Sequence, residues 1–307
     1  MKALKTTVVV NPVSANGATA RRWPEIAALM EQEGFSFETF MTEAPEHATE
    51  LTRKAIEKGS ELVVSVGGDG THNEVMNGFF TPDGVLCKEA QLGFISMGTG
   101  GDLIRTLQIP KDPVLALRHL AGSSTREIDV GRISFISHAG DKKIRYYINI
   151  AGLGLDGDTV DRVNKASKAL GGFISFLWGT LVSLMLYRNK DMAVTLDGEF
   201  LFEGPVTIVA VANGRYFGGG MCIAPHAVMD DGLFDIVIMH SLSKPNLLVN
   251  LPKVYRGTHL SHPNCISRRG RKVAIETNEA LLNLDGEQPG RGPVEMELLP
   301  LALRVKG

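Results

Sequence analysis

The chain has 307 residues, enough for one large domain or two modest ones, and its hydrophobic fraction of 44% supplies a sizeable core and excludes intrinsic disorder. Charged residues make up 21% and the formal net charge is -2, so bulk electrostatics do not hold a polyanion and no nucleic-acid partner is expected. Three cysteines without metal-ligand spacing, Cys87, Cys222 and Cys265, exclude a disulfide framework and a structural zinc site, and fit a reducing cytoplasm.

The first apolar run, residues 6–10, is too short for a signal-peptide core and reads as a buried strand. Strand-like segments at 35–41, 61–65 and 91–95 then alternate with amphipathic helical patterns at 20–34, 46–58 and 71–79, and a helix over 113–122 closes the series. That alternation predicts βα units in an α/β, doubly wound and mostly parallel sheet, forming a domain over residues 1–125. Beyond it the rhythm changes to successive strands at 127–134, 144–151, 192–196, 199–202, 205–212, 233–240, 272–277, 281–284 and 294–299, a β-rich second domain over 126–298. Asp197 and Gly198 give a two-residue hairpin turn. Residues 169–187 carry no charge, a length that permits a membrane span. Gly171, Gly172 and Gly179 within it favour a helix buried in protein or facing a membrane instead.

The strongest chemical signal is VVSVGGDGT, residues 63–71, in which an apolar strand runs into consecutive glycines. Glycines let backbone N–H groups approach a phosphate, and a following helix start adds a dipole that favours anions. Thr71 and Glu74 have the spacing of a capping box, and Asp69 is left available to a magnesium ion. No Walker A lysine is present, so a P-loop NTPase is not supported. A second glycine-rich turn, ISMGTGGD at 95–102, follows the next strand, and two such loops at the carboxyl ends of neighbouring strands face one crevice. There Asp102 either joins Asp69 around a metal or starts a short helix over 103–107. The loop NPVSANG at 11–17 completes a three-sided site. Further on come a triple glycine, Gly218 to Gly220, an Asp-Asp-Gly turn at 230–232, and NLDGEQ at 283–288, whose Asp285–Gly286 turn leaves Glu287 projecting from a hairpin. The eight histidines have no paired spacing, no Gly-x-Ser-x-Gly elbow exists, and the basic run Arg268, Arg269, Arg271, Lys272 reads as a solvated loop.

Taken in order, NPVSANG, VGGDGT, GFISMGTGGD, NGRYFGGG with APHAVMDDGLFD, and NLDGE resemble one family, the lipid kinases that include bacterial diacylglycerol kinase-like proteins, sphingosine kinases and ceramide kinases. The GGDGT core alone is shared with NAD kinases and phosphofructokinases. The resemblance implies an N-terminal α/β nucleotide domain and a C-terminal β-sandwich domain that binds lipid, with the last strand, about 299–307, returning to the first domain. Asn11, Pro12, Val13, Ser14, Ala15, Thr42, Gly67, Gly68, Asp69, Gly70, Thr71, His72, Asn73 and Thr99 would then line the ATP site. Glu287 would be the general base, with Asp69 and Asp102 holding catalytic Mg2+; Asp231, with the backbone oxygens of Val228 and Leu233, would form a second, structural magnesium site. Gly101 stands where the family usually has Asn. The implied activity is transfer of the ATP γ-phosphate to a hydroxyl of a membrane lipid such as diacylglycerol, by a cytoplasmic protein peripheral to the inner face of the membrane that also admits a homodimer. Phe173 and Leu177 in the apolar segment are expected to wall the lipid slot. The alternatives are an NAD kinase-like enzyme on a soluble substrate and a non-catalytic lipid-binding protein.

Overall fold

The structure is a computed structural model that describes residues 4–98, 100–122, 124–165 and 186–306. The expected apolar segment at 169–187, with Phe173 and Leu177, lies mostly outside these residues, as does Thr99. Two units form, residues 1–129 with 301–307, and residues 130–300.

In the first unit, β1 (Thr6–Val10) and β3 (Leu62–Gly67) are buried along their whole lengths, the continuous apolar pattern of central parallel strands covered on both faces. With β2 (Phe37–Met41) and β6 (Gln91–Ser96) they form a parallel sheet in the order β6-β3-β1-β2. The short hairpin β4 (Phe80–Thr81) and β5 (Gly84–Val85) precedes β6. Helices α1 (Ala18–Gln32), α2 (His47–Glu57), α3 (Asp69–Asn77), α4 (Asp102–Leu107) and α5 (Pro113–Gly122) make the connections. One core gathers Val8, Val10, Val64 and Ile95 from the strands with Trp23, Ile26 and Met30 of α1 and Leu117 and Leu120 of α5. The end of the last strand belongs here, where Arg304 and Val305 pair parallel with Gln91 and Leu92.

The second unit is built from β7 (Thr125–Ser137), β8 (Lys142–Tyr147), β9 (Ile150–Gly154), β10 (Lys190–Leu196), β11 (Glu199–Ala212), the small hairpin β12 (Tyr216–Phe217) and β13 (Met221–Cys222), β14 (Phe234–His240), β15 (Cys265–Gly270), β16 (Lys272–Glu276), β17 (Leu281–Leu284) and β18 (Glu287–Lys306). One path of neighbours runs β11-β10-β16-β18 and another β11-β9-β17-β18, so the two long strands β11 and β18 are shared and the layers enclose a core between them. Tyr147 and Phe234 stack inside it with ring centroids 5.7 Å apart. A separate apolar cluster joins Ile208, Ala210, Met239 and Phe217 to Leu247, Leu251 and Val254 of helix α7 (Lys244–Arg256).

Several expectations change in this unit. The segment 144–151, read as one strand, is two, because the backbone N–H groups of Ile148, Asn149 and Ile150 all donate to the Asp285 carboxylate at 2.8–3.1 Å instead of to a neighbouring strand. Residues 199–202 and 205–212 are one strand that continues across Gly204 and Pro205. The basic run at 268–271 lies largely on β15, paired with β14, and not in a loop. Helices α6 (Leu155–Lys165) and α7 have no counterpart in the expected elements. No described helix is long and apolar enough to cross a membrane.

Candidate functional site

At the carboxyl ends of β1, β3 and β6 three loops meet in the first unit. The N–H of Asn11 donates to the Val66 carbonyl at 3.0 Å, its side-chain amide donates to Thr71 Oγ1 at 2.9 Å, and the Met97 N–H donates to the Gly67 carbonyl at 2.7 Å. Thr42, buried at the end of β2, donates its N–H to the Val10 carbonyl. Open α/β sheets place ligands on this edge.

Glycines are required here for approach. A Cβ on Gly67 would fall 2.5 Å from Thr71 Oγ1, one on Gly98 would fall 2.9 Å from the Gly68 Cα, and one on Gly100 would fall 2.8 Å from Asp69 Oδ2. The two glycine loops thus pack backbone against backbone, a contact that a side chain would break. Helix α3 starts at Asp69 with extended Gly68 before it, so its first N–H groups and positive dipole end point into this edge. That start lies three residues earlier than the Thr71–Glu74 capping box assumes, since the N-cap is Gly68. Thr71 instead accepts from Asn11, and Glu74 accepts the Ala48 N–H at 3.3 Å.

Asp69 is fixed from one side only. Its Oδ2 accepts the N–H of Gly101 at 2.9 Å, whereas Oδ1 is buried with no hydrogen-bond partner. A buried carboxylate oxygen left open costs on the order of 1–3 kcal/mol unless a ligand satisfies it. Gly101 makes this contact from left-handed backbone, φ 70°. The next residue, Asp102, is 7% exposed at the start of α4 with the Arg105 guanidinium 4.0 Å away. An anionic oxygen without a donor, with the Asp102 carboxylate in the adjoining loop, has the hard-oxygen chemistry that would suit a hydrated Mg2+.

The remaining nucleotide candidates divide by exposure. Pro12, Ser14 and Ala15 are half-buried in the first loop, Val13 is 77% exposed, and Ala15, Asn16 and Gly17 all hold positive φ. His72 and Asn73 are enclosed by protein: His72 is 0% exposed, bonded through Nδ1 to Ser65 at 2.8 Å and packed edge-on to Phe94, and burial pulls its pKa down to about 4. Both shape the start of α3 from beneath.

In the second unit Glu287 follows the turn Asp285–Gly286, whose φ values of 48° and 91° are those of a tight two-residue hairpin. The turn is held rigidly. Besides the three N–H groups on Asp285, Asn283 Oδ1 accepts the Gly286 N–H at 2.9 Å, and Asn283 Nδ2 donates to Asp156 Oδ2 at 2.7 Å. Glu287 is partly exposed but not alone, because Arg145 on β8 donates to its Oε2 at 2.8 Å. Sequence reasoning missed Arg145, Asn283 and Asp156. Only the placing of Arg145 between Ile144 and Tyr146 in a strand-like stretch hints at the first.

Asp231 is placed differently from its expected role. Its Oδ2 is held by the Arg269 guanidinium and its Oδ1 accepts the Leu233 N–H, while Val228 is partly exposed. With both oxygens engaged and a guanidinium alongside, these residues as arranged do not fit a cation. Among the described residues no group of three or more acidic, histidine or cysteine side chains gathers to hold a metal. The triple glycine makes the β12–β13 turn, with φ of 59°, 78° and 108°.

An apolar pocket of about 70 Å³, opening to solvent, lies in this unit between β11, β14, α6 and α7. Leu155, Phe217, Met221, Met239, Leu251 and Val254 are among its apolar lining residues. Asp156 lies on the same wall, and its burial raises its pKa to about 7.

The sequence matches the diacylglycerol kinase catalytic domain family over residues 5–133 and the YegS C-terminal NAD kinase beta sandwich-like domain family over residues 149–307. The chain belongs to the bacterial diacylglycerol kinase catalytic-domain family. It is 28% identical over 291 residues to a diacylglycerol kinase of Staphylococcus carnosus, covering 94% of this chain and 90% of that one. A diacylglycerol kinase of Bacillus subtilis is 29% identical, covering 95% and 92%. In three dimensions the chain is similar to a diacylglycerol kinase from Bacillus anthracis, with a TM-score of 0.77 at 22% identity, covering 100% of this chain and 98% of that one. A more distant likeness is an NAD kinase from Archaeoglobus fulgidus in complex with ATP, with a TM-score of 0.51 at 14% identity over 98% and 93% of the two chains. The family's two parts are an N-terminal catalytic domain and a C-terminal β-sandwich-like domain, and the relatives named above are kinases.

Proposed function

We propose that this chain is an ATP-dependent lipid kinase that transfers the γ-phosphate to a hydroxyl of a membrane lipid such as diacylglycerol. The observation that carries the reading is Asp69, held between two glycine loops by the Gly101 N–H with its other oxygen buried and open. Phosphoryl transfer asks for alignment and charge neutralisation more than for covalent help. The N–H groups at the start of α3, with Asn11 to Ala15, Thr42 and Gly67 to Thr71, receive the nucleotide, and the family resemblance adds Thr99, which lies outside the described residues. Asp69 and Asp102 would hold Mg2+, which supplies positive charge to the phosphates when bound. Glu287 takes the proton of the lipid hydroxyl as that oxygen bonds to the γ-phosphorus and the bond to the β-bridging oxygen breaks, releasing ADP. Arg145, 2.8 Å from Glu287 Oε2, orients the carboxylate for that transfer.

The apolar pocket accounts for the substrate class. A wall of Leu, Ile, Met and Phe accepts a hydrocarbon chain and offers a soluble nucleoside little to bond with, which favours a lipid over NAD. The enzyme so described works at the inner face of the membrane as a peripheral protein. Purified protein, labelled ATP and either diacylglycerol vesicles or NAD separate the two readings. Labelled phosphatidic acid is the expected product, and labelled NADP without lipid product would reject the assignment.

A further inference from the structure

We infer that the outer face of α7 is a membrane-docking surface for anionic bilayers, so that one helix both walls the lipid pocket and rests on the membrane. This rests on the lipid-kinase reading for its purpose but on separate residues for its evidence. Helix α7 is apolar on two opposite faces. Leu247, Leu251 and Val254 line the pocket, with Asn250 between them. The opposite stripe, at helical spacing, is Pro245, Leu248, Val249, Pro252 and Tyr255, all exposed: Val249 is 71% exposed, Leu248 42% and Tyr255 39%. A helix that buries one apolar face and turns a second outward has a hydrocarbon partner outside the fold.

Charge selects which partner. The thirteen residues contain Lys244, Lys253 and Arg256 and no acidic side chain, so every charged side chain on this helix is cationic. That pattern, large apolar groups flanked by Lys and Arg on a helix too short to span, is the pattern of a helix lying in the plane of an anionic interface. A second protein copy would meet the same three positive charges on its own helix across a two-fold axis, which disfavours self-association.

The test uses the intact chain with phosphatidylcholine vesicles prepared with and without phosphatidylglycerol, read by co-flotation. The paired change Leu248→Ser with Val249→Ser is expected to lower partitioning onto anionic vesicles about tenfold, and Lys253→Glu with Arg256→Glu to lower it about tenfold or more onto anionic vesicles only. None of the four residues lines the pocket, so phosphate transfer to a short-chain diacylglycerol dispersed as monomers is expected to stay at the wild-type rate, which also reports that the variants are folded. Equal partitioning of wild type and both variants would overturn the inference. So would a wild type that sediments as a dimer beside a monomeric L248S/V249S. A chain that floats as expected yet phosphorylates neither dispersed nor bilayer lipid would sink the kinase reading and leave the docking surface standing.

Discussion

Single residues carry opposite electrostatic burdens. Asp69 keeps one oxygen open in a buried place, and Asp156 is a carboxyl in an apolar wall that accepts from the Asn283 side-chain amide. Burial raises the Asp156 pKa from 3.8 to about 7, so between those values the folded chain retains a proton that the unfolded chain has lost. Stability from this group is therefore complete below pH 4 and is lost as pH rises to about 7, a change on the order of 4 kcal/mol. Asp156→Asn keeps an oxygen for Asn283 and removes the charge. It is expected to raise the urea midpoint of unfolding at pH 8 while leaving it nearly unchanged at pH 4, and equal midpoints for the two proteins at pH 8 would refute the burial argument. At this scale the sequence was only partly legible. Asp69, Asp102 and Glu287 could be named because glycine turns mark them, but nothing adjacent in the chain reveals that Arg145 lies 142 positions before the glutamate it holds. Ion pairs between distant strands are a property of register, and register is set by the whole sheet.

Among the elements, the loops after β3 and β6 behave as one piece. Gly68 and Gly98 touch through their Cα atoms, and Gly101 of the second loop holds the aspartate of the first. Gly98→Ala places a methyl group 2.9 Å from backbone with no flexible side chain to give way. A displaced phosphate loop is expected to weaken ATP binding roughly tenfold to a hundredfold by calorimetry. Gly122→Ala, where nothing lies within 4 Å, serves as the control and is expected to bind normally. Wild-type affinity in G98A would show that the loops do not need this contact. The parallel strands and their helices were readable in advance because apolar runs there alternate cleanly with amphipathic ones; residues 6–10 and 113–122 coincide with β1 and α5. The second unit was harder. Gly204 with Pro205, and Pro289, Pro293 and Pro300, punctuate the sequence like loop residues, yet β11 and β18 run through them. Helix α7, apolar on two faces, lacks the one-sided period by which helices are recognised. Its ambiguity in sequence and its second exposed face have the same cause.

For the molecule as a whole, the groups assigned to the reaction are divided between the two units: Asp69 and Asp102 in the first, Glu287 and Arg145 in the second. Family membership explains why such a division persists, since the catalytic-domain match covers the first pair and the sandwich-domain match covers Glu287. If the two sets serve one transition state, their losses are not independent. Side chains that act together in one step give strongly non-additive losses when removed in combination. The decisive measurement is single-turnover transfer of the γ-phosphate from ATP to diacylglycerol by wild type, Asp69→Asn, Glu287→Gln and the double variant. Each single change is expected to slow transfer by about 10² to 10⁴, and the double variant to be no more than a few times slower than the worse single one. Glu287→Gln transferring phosphate at the wild-type rate, or losses that multiply in full, would contradict the roles assigned to Asp69 and Glu287.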